Sequence, residues 1–192
     1  MSDGKRGFQL ERYVKIGASL RQAIVRRLNA ARHVTKHDWA QLVDDGLGSA
    51  LPAATAEREA EMRARQEKTA ALAELYSSRI SVLIGAAGTG KTTLLRMLCT
   101  LAEVKAGNVL LLAPTGKARV RLEQATQQRG QGKTLAQFLL HYRRYDLRTG
   151  RYFTNPNANK CTEARTVIVD ECSMLTEEQL GGSSTRWVRW TG

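Results

Sequence analysis

The segment Gly85-Ala86-Ala87-Gly88-Thr89-Gly90-Lys91-Thr92 constrains this chain more than any other feature. It matches the phosphate-binding pattern G-x-x-x-x-G-K-[ST] and stands where that pattern works, between an apolar run and a helix-forming one. Ile80 to Ile84 reads as a buried strand, and Thr93 to Leu98 as a helix whose N-terminal amides would hold phosphates. From average residue frequencies, a chance match in a chain of this length is on the order of one in a hundred. The glycines let backbone amides close around phosphate oxygens, Lys91 supplies a point charge to the β and γ oxygens, and Thr92 offers a hydroxyl to Mg²⁺. A nucleotide site is therefore expected, with ATP held by Gly85, Ala86, Ala87, Gly88, Thr89, Gly90, Lys91, Thr92 and Thr93.

Two further apolar runs have the length of buried parallel strands, Val109 to Ala113 and Thr166 to Val169. The second ends on Asp170-Glu171. At the end of such a strand Asp170 can orient Mg²⁺ and Glu171 can polarise the attacking water for in-line phosphoryl transfer, so the candidate catalytic set is Lys91, Asp170 and Glu171. An acidic pair after a strand is by default two solvated carboxylates; the phosphate loop is what gives this one a role. Strands alternating with helices predict an α/β fold, a parallel sheet flanked by helices with the phosphate site at the strands' C-terminal ends.

Ahead of the loop, residues 18 to 32 place Leu20, Ile24, Val25 and Leu28 at helical spacing among arginines, which predicts a basic amphipathic helix. Thr35 to Asp38 resembles a capping box opening a second helix, with Trp39, Leu42 and Val43 on its apolar face and a stop at Gly46. His33 and His37 stand four apart with no third ligand nearby, which favours a solvated pair over a metal site. Residues 48 to 55 read as a linker and Ala56 to Tyr76 as a charged helix. Later in the chain, Thr134 to Tyr145 is predicted helical and Tyr145 to Phe153 a small inserted hairpin.

The chain has 192 residues and a net charge of +12. That length suits one domain with a real core and a small appendage, and excludes two full domains. Residues 1 to 36 and 116 to 151 each hold nine Lys/Arg against two acids, and the remainder is nearly neutral. Two such blocks suit a polyanionic partner, nucleic acid first, because clustered cations gain by releasing phosphate counterions; a generic basic surface would carry the same charge. Cys99, Cys161 and Cys172 form no C-x-x-C pair and an odd total, which points to reduced thiols. With no apolar leader and no run of membrane-spanning length, a soluble cytoplasmic protein with no membrane partner is expected.

Ala113-Pro114-Thr115-Gly116-Lys117-Ala118-Arg119-Val120-Arg121-Leu122 resembles motif Ia of RecD-like superfamily 1 DNA helicases, and Asp170-Glu171-Cys172-Ser173-Met174 resembles their motif II. With the phosphate loop, these strings cover roughly Gln66 to Leu180. The resemblance implies an AAA-type, RecA-like P-loop NTPase domain, incomplete here, over residues 56 to 180, preceded by a helical basic region and linker at 1 to 55. It also implies ATP and Mg²⁺, with Thr92 and Asp170 as metal ligands, and an ATP-dependent motor on single-stranded DNA with 5′ to 3′ polarity. Gln66 fits the family's adenine-reading glutamine. Thr115, Gly116 and Lys117 would grip the DNA backbone. Thr134-Leu135-Ala136-Gln137-Phe138 stands where these helicases carry a Thr-Ile-His-like segment; Ala136 removes the ring contact and leaves Thr134 for a phosphate.

The family's next motif, Gly-Asp-x-x-Gln-Leu-Pro, and its second lobe with an arginine finger do not follow motif II. The expectation is a truncated or frame-shifted chain with a non-native or disordered tail over 181 to 192 and little or no unwinding of its own. Its alternative is a non-catalytic nucleotide- and nucleic-acid-binding module.

Overall fold

The computed structural model describes residues 10–48, 50–86, 88–152 and 164–184, without the side chains of residues 182–184. Ala87, Cys161, Phe153 and the tail beyond Ser184 lie outside the described residues. The sheet that organises the chain is parallel and three-stranded: β1 (Val109–Ala113) at the centre, β2 (Gly132–Thr134) on one side and β5 (Thr166–Val169) on the other. All residues of β1 and β5 are buried, as expected where helices cover both faces of a parallel sheet.

Side chains alternate across the pleat, so the two strands feed two cores. Val109, Leu111 and Ile168 point into one, which is filled by Leu72 and Leu75 of α3 (Thr55–Ser77) and by Leu94, Leu95 and Leu98 of α4 (Lys91–Thr100). Val104 of α5 (Ala102–Ala106) and Leu122 of α6 (Gly116–Thr126) complete it. Leu110, Leu112, Val167 and Val169 point into the other, against Leu135, Phe138 and Leu139 of α7 (Leu135–His141). Phe138 is fully buried and stacks near Tyr142 with ring centroids 4.8 Å apart. Phe138→Ala is expected to cost about 3–5 kcal/mol, a loss that denaturant unfolding will read directly; a change below about 1 kcal/mol would mean this second core is not packed as described.

Four predicted elements come out differently, the first being the helix expected over Thr134 to Tyr145, which is α7 and stops at His141. The basic helix α1 runs Glu11–Leu28, starting seven residues before residue 18, with Glu11 in its first turn paired to Lys15 at 2.6 Å. The second helix, α2 (Trp39–Leu47), is capped by Asp38, whose carboxylate accepts the Gln41 amide at 3.0 Å; the Thr35 hydroxyl accepts from His37 instead, and the helix passes Gly46 to end at Gly48. Ile80 to Ile84 forms no strand. Only Leu83 packs against the first core, while Val82 and Ile84 are 69% and 88% exposed. Among the described residues the sheet ends at β5, and this apolar run pairs with neither of its edges.

The region ahead of residue 56 is not detached. Val43 of α2 is fully buried in the first core, and Arg65 of α3 clamps the linker by donating to Asp44 (2.6 Å) and to the Gly48 carbonyl (2.8 Å). His33 and His37 lie against Tyr76 rather than in solvent, with His37 edge-on to both Trp39 and Tyr76; the described residues hold no metal-binding cluster. The hairpin is present as β3 (Tyr145–Asp146) and β4 (Arg151–Tyr152), its turn held by the Asp146 carboxylate accepting from Arg148 N–H and the Thr149 hydroxyl. After β5 a 3-10 turn, Cys172–Met174, leads into α8 (Glu177–Ser184). That helix continues past Leu180, where a disordered tail is expected from sequence, because Gly181 is buried against Ile16 of α1.

Candidate nucleotide site

The loop before α4 has the backbone its sequence demands. Gly88 and Gly90 take φ of 82° and 85°, a region closed to most side chains, and Gly90 is the N-cap of α4. The first helical hydrogen bond runs from Leu94 N–H to Gly90 C=O at 3.1 Å, so the amides of Lys91, Thr92 and Thr93 precede the helical ladder and face outward with the positive end of the helix dipole. Thr92 is exposed and Thr93 half-buried beside it.

Lys91 is folded back onto its own loop. Its ammonium donates to the carbonyls of Gly85 and of Ala86 (2.8 Å), and Ala86 C=O also accepts from the Thr89 hydroxyl at 2.9 Å. These are the oxygen acceptors an ammonium takes when no phosphate offers better ones. An incoming phosphate exchanges neutral carbonyls for charged oxygens around the same nitrogen, which is where the affinity arises.

The carboxylates stand at the C-terminal end of β5. Val169 lies opposite Leu112 in the β5–β1 register, and Asp170 continues that ladder by donating its amide to Leu112 C=O at 2.9 Å. Asp170 Oδ1 accepts the Glu171 amide at 3.0 Å, while Glu171 takes a left-handed φ of 52° and is exposed. For a non-glycine residue that conformation costs about 1–2 kcal/mol, and it turns the chain sharply as the strand ends. Thr92 hydroxyl and Asp170 carboxylate are hard oxygen donors of the type Mg²⁺ takes, so the residues present fit the cation.

Cys172, immediately after the pair, donates its thiol to Val169 C=O at 3.2 Å. Burial, and then the charge of Asp170, push its pKa up to about 11 from 9.0. Burial raises Cys99 to about 12. Both stay protonated at neutral pH. In a Cys161→Ser background, alkylation of Cys172 at pH 7 should run about 100-fold slower in the native chain than in urea, from the two-unit difference in thiolate population; equal rates would show the thiol is not shielded.

Motif Ia lies at the same edge of the sheet. Thr115 caps α6, its hydroxyl accepting the Ala118 amide at 3.1 Å, and Thr115, Gly116 and Lys117 are all exposed just past the end of β1. Thr134 pairs with Ala113 in the β1–β2 register and forms a reciprocal capping box with Gln137 at the start of α7. Its hydroxyl oxygen accepts the cap hydrogen bond, which leaves the O–H as a donor.

Gln66 is placed differently. It lines a groove between α2 and α3 with Ala40, Met62 and Thr69, whereas the α3 residue that reaches the phosphate loop is Lys68, whose Cε stands 3.3 Å from where a Cβ on Gly90 would be. The two side chains leave the helix about 200° apart. Nothing in the sequence singles out Lys68, because a lysine on a charged helix looks solvated until the helix is docked.

A glycine-turned cradle on α4 and a carboxylate pair at the end of a buried parallel strand define a P-loop nucleotide-binding domain. A family profile described as an AAA domain matches residues 61–183, more than half of the chain, and the chain belongs to that family. It is also similar to the RecBCD enzyme subunit RecD of Mycolicibacterium smegmatis, 44% identical over 69 residues, covering 32% of this chain and 12% of that protein. Against the ATP-dependent RecD2 DNA helicase of Deinococcus radiodurans the identity is 43% over 61 residues, 32% of this chain and 8% of the helicase. An uncharacterized protein of Methanocaldococcus jannaschii is 28% identical over 125 residues, 62% of this chain and 11% of that protein. The chain is RecD-like over about a third of its length and spans only about a tenth of these relatives.

Proposed function

We propose that this chain is the ATP-binding part of a RecD-like DNA helicase, in which ATP hydrolysis drives movement on single-stranded DNA. The observation that carries the reading is the shared edge of the sheet: register places Asp170 and Thr134 beside Ala113, so the acidic pair and the motif Ia turn leave the strands at one level. Nucleotide chemistry and a backbone grip on DNA are then separated by a single strand width, about 5 Å.

In this reading the amides of Gly88 to Thr93, with Gly85, Ala86 and Ala87, hold the phosphates; Ala87 lies outside the described residues. Lys91 leaves its loop carbonyls for the β and γ oxygens, and Lys68 adds positive charge beside Gly90. Asp170 and Thr92 hold Mg²⁺, which when bound neutralises phosphate charge, and Glu171 polarises the attacking water. Gln66, which lines the groove between α2 and α3, reads the adenine edge. Thr115, Gly116, Lys117 and Thr134 contact DNA phosphates, the two threonines through O–H donors that their helix caps do not use.

The Ile80 to Ile84 run, which pairs with no strand among the described residues, favours a second reading, a nucleotide- and nucleic-acid-binding module without turnover. ATP hydrolysis by the purified chain, measured with and without oligonucleotide, separates the two: turnover abolished by Glu171→Gln supports the motor, and tight binding with no turnover supports the module. No helix among the described residues is long and apolar enough to cross a membrane. A soluble cytoplasmic setting is part of the proposal. Single-stranded DNA should bind with an affinity that falls steeply as salt rises, and Lys117→Ala should reduce that salt slope by about 0.7, one phosphate contact. An unchanged slope would remove Lys117 from the DNA track.

A further inference from the structure

A second basic site stands apart from the sheet edge, where α1, β4 and α8 meet. A cleft of about 260 Å³ is lined there by Arg12, Lys15 and Ser19 of α1, Arg151 and Tyr152 of β4, and Glu178 of α8. The three elements are tied together. Arg12 pairs with Glu178 at 3.3 Å, Ile16 packs on Gly181, and the Gln179 amide donates to the Tyr152 hydroxyl at 3.0 Å. Tyr152 in turn stacks on Tyr145, with centroids 4.7 Å apart.

The cleft gathers three cations against one carboxylate, and that carboxylate already faces Arg12. Among the described residues Lys15 pairs with the exposed Glu11 on the same helix, and the Arg151 side chain is exposed. A guanidinium has five N–H donors, so Arg12 keeps donors for an anion while it holds Glu178. The cleft is large enough for a phosphate and its waters.

We propose that this cleft holds a backbone phosphate of single-stranded DNA, a second contact supplied by a helix that lies outside residues 61–183. The inference rests on the DNA-motor reading and extends its track. A strand gripped at motif Ia and again here is read without regard to sequence, since Lys and Arg on phosphates position the chain and carry no base information. The stacked Tyr145–Tyr152 pair keeps β4 rigid, so Arg151 is presented on a fixed support rather than on a loose turn.

The test is the salt dependence of oligothymidylate binding by fluorescence anisotropy, using the full chain. Lys15 and Arg151 are the residues to change, because Arg12 also holds α1 to α8. Lys15→Ala with Arg151→Ala is expected to lower the slope of log affinity against log salt by about 0.7, the one single-strand phosphate contact that both side chains share. Lys15→Arg with Arg151→Lys should keep the wild-type slope, and ATP affinity should be the same in all three proteins. An unchanged slope in the alanine pair, or an equal loss in the charge-keeping pair, overturns the proposal. So does displacement of the oligonucleotide by inorganic phosphate at constant ionic strength, which marks a small-anion site. If Lys117→Ala lowers the slope and the cleft pair does not, only this contact fails; if the wild-type chain binds no oligonucleotide at low salt, the DNA reading fails with it.

Discussion

Replacing Lys91 with alanine is expected to weaken ATP and ADP binding by about 10- to 100-fold while leaving Tm unchanged. The magnitude follows from what the side chain exchanges. Its ammonium now donates to two neutral carbonyls, of Gly85 and Ala86, and on binding it would donate to phosphate oxygens instead. The number of hydrogen bonds is roughly conserved, so the gain is the charged acceptor, about 1.5–3 kcal/mol. The loop glycines and amides remain, which is why some affinity should persist. Stability should hold because the released carbonyls sit at an exposed loop where water can satisfy them. Calorimetry with Mg²⁺ and each nucleotide reads this directly; equal affinity in wild type and variant would remove the loop as the nucleotide site.

Glu171→Gln is expected to leave nucleotide affinity within about twofold and to lower ATP turnover by about 10²- to 10⁴-fold, the usual contribution of a positioned base. These 192 residues by themselves should turn over slowly. An arginine brought to the γ-phosphate by a second lobe is worth about 10³ to 10⁵ in related phosphoryl-transfer systems, and closure against such a lobe is what turns hydrolysis into movement. Single-turnover measurement with excess chain over ATP therefore suits both proteins. A variant that hydrolyses as fast as wild type would assign the chemistry to some other group, and strand displacement by the wild-type chain alone would show that a second lobe is not needed.

The candidate site was readable in the sequence where it is local. Positive φ at Gly88 and Gly90, a helix directly behind the loop (expected from Thr93, starting at Lys91), and an acidic pair at the end of a buried strand all follow from residue type and spacing within a few positions. Membership in the AAA-domain family and likeness to RecD proteins follow from the same strings. Buried strands β1 and β5 were readable for a related reason: a strand covered on both faces needs an unbroken apolar run, and few other arrangements tolerate one.

What only the tertiary structure decided depends on partners far along the chain. Ile80 to Ile84 carries the same apolar signal as β5, yet among the described residues it has no strand beside it, and an apolar run cannot report whether its backbone finds a neighbour. Strand β2 is three residues of Gly-Lys-Thr with no apolar pattern, held in place because the Gly132 amide donates to the buried Glu123 carboxylate at 2.7 Å and because β1 offers it an edge. Gln66 and Lys68 are two residues apart on one charged helix, and which of them reaches the phosphate loop is set by how α3 docks on α4. The cleft between α1, β4 and α8 joins residues 12, 151 and 178, a juxtaposition that charge counting along the chain registers only as two separate basic blocks. Local pattern carries what a turn or a strand end must be; docking of helices, which depends on the summed fit of distant side chains, decides which charges converge.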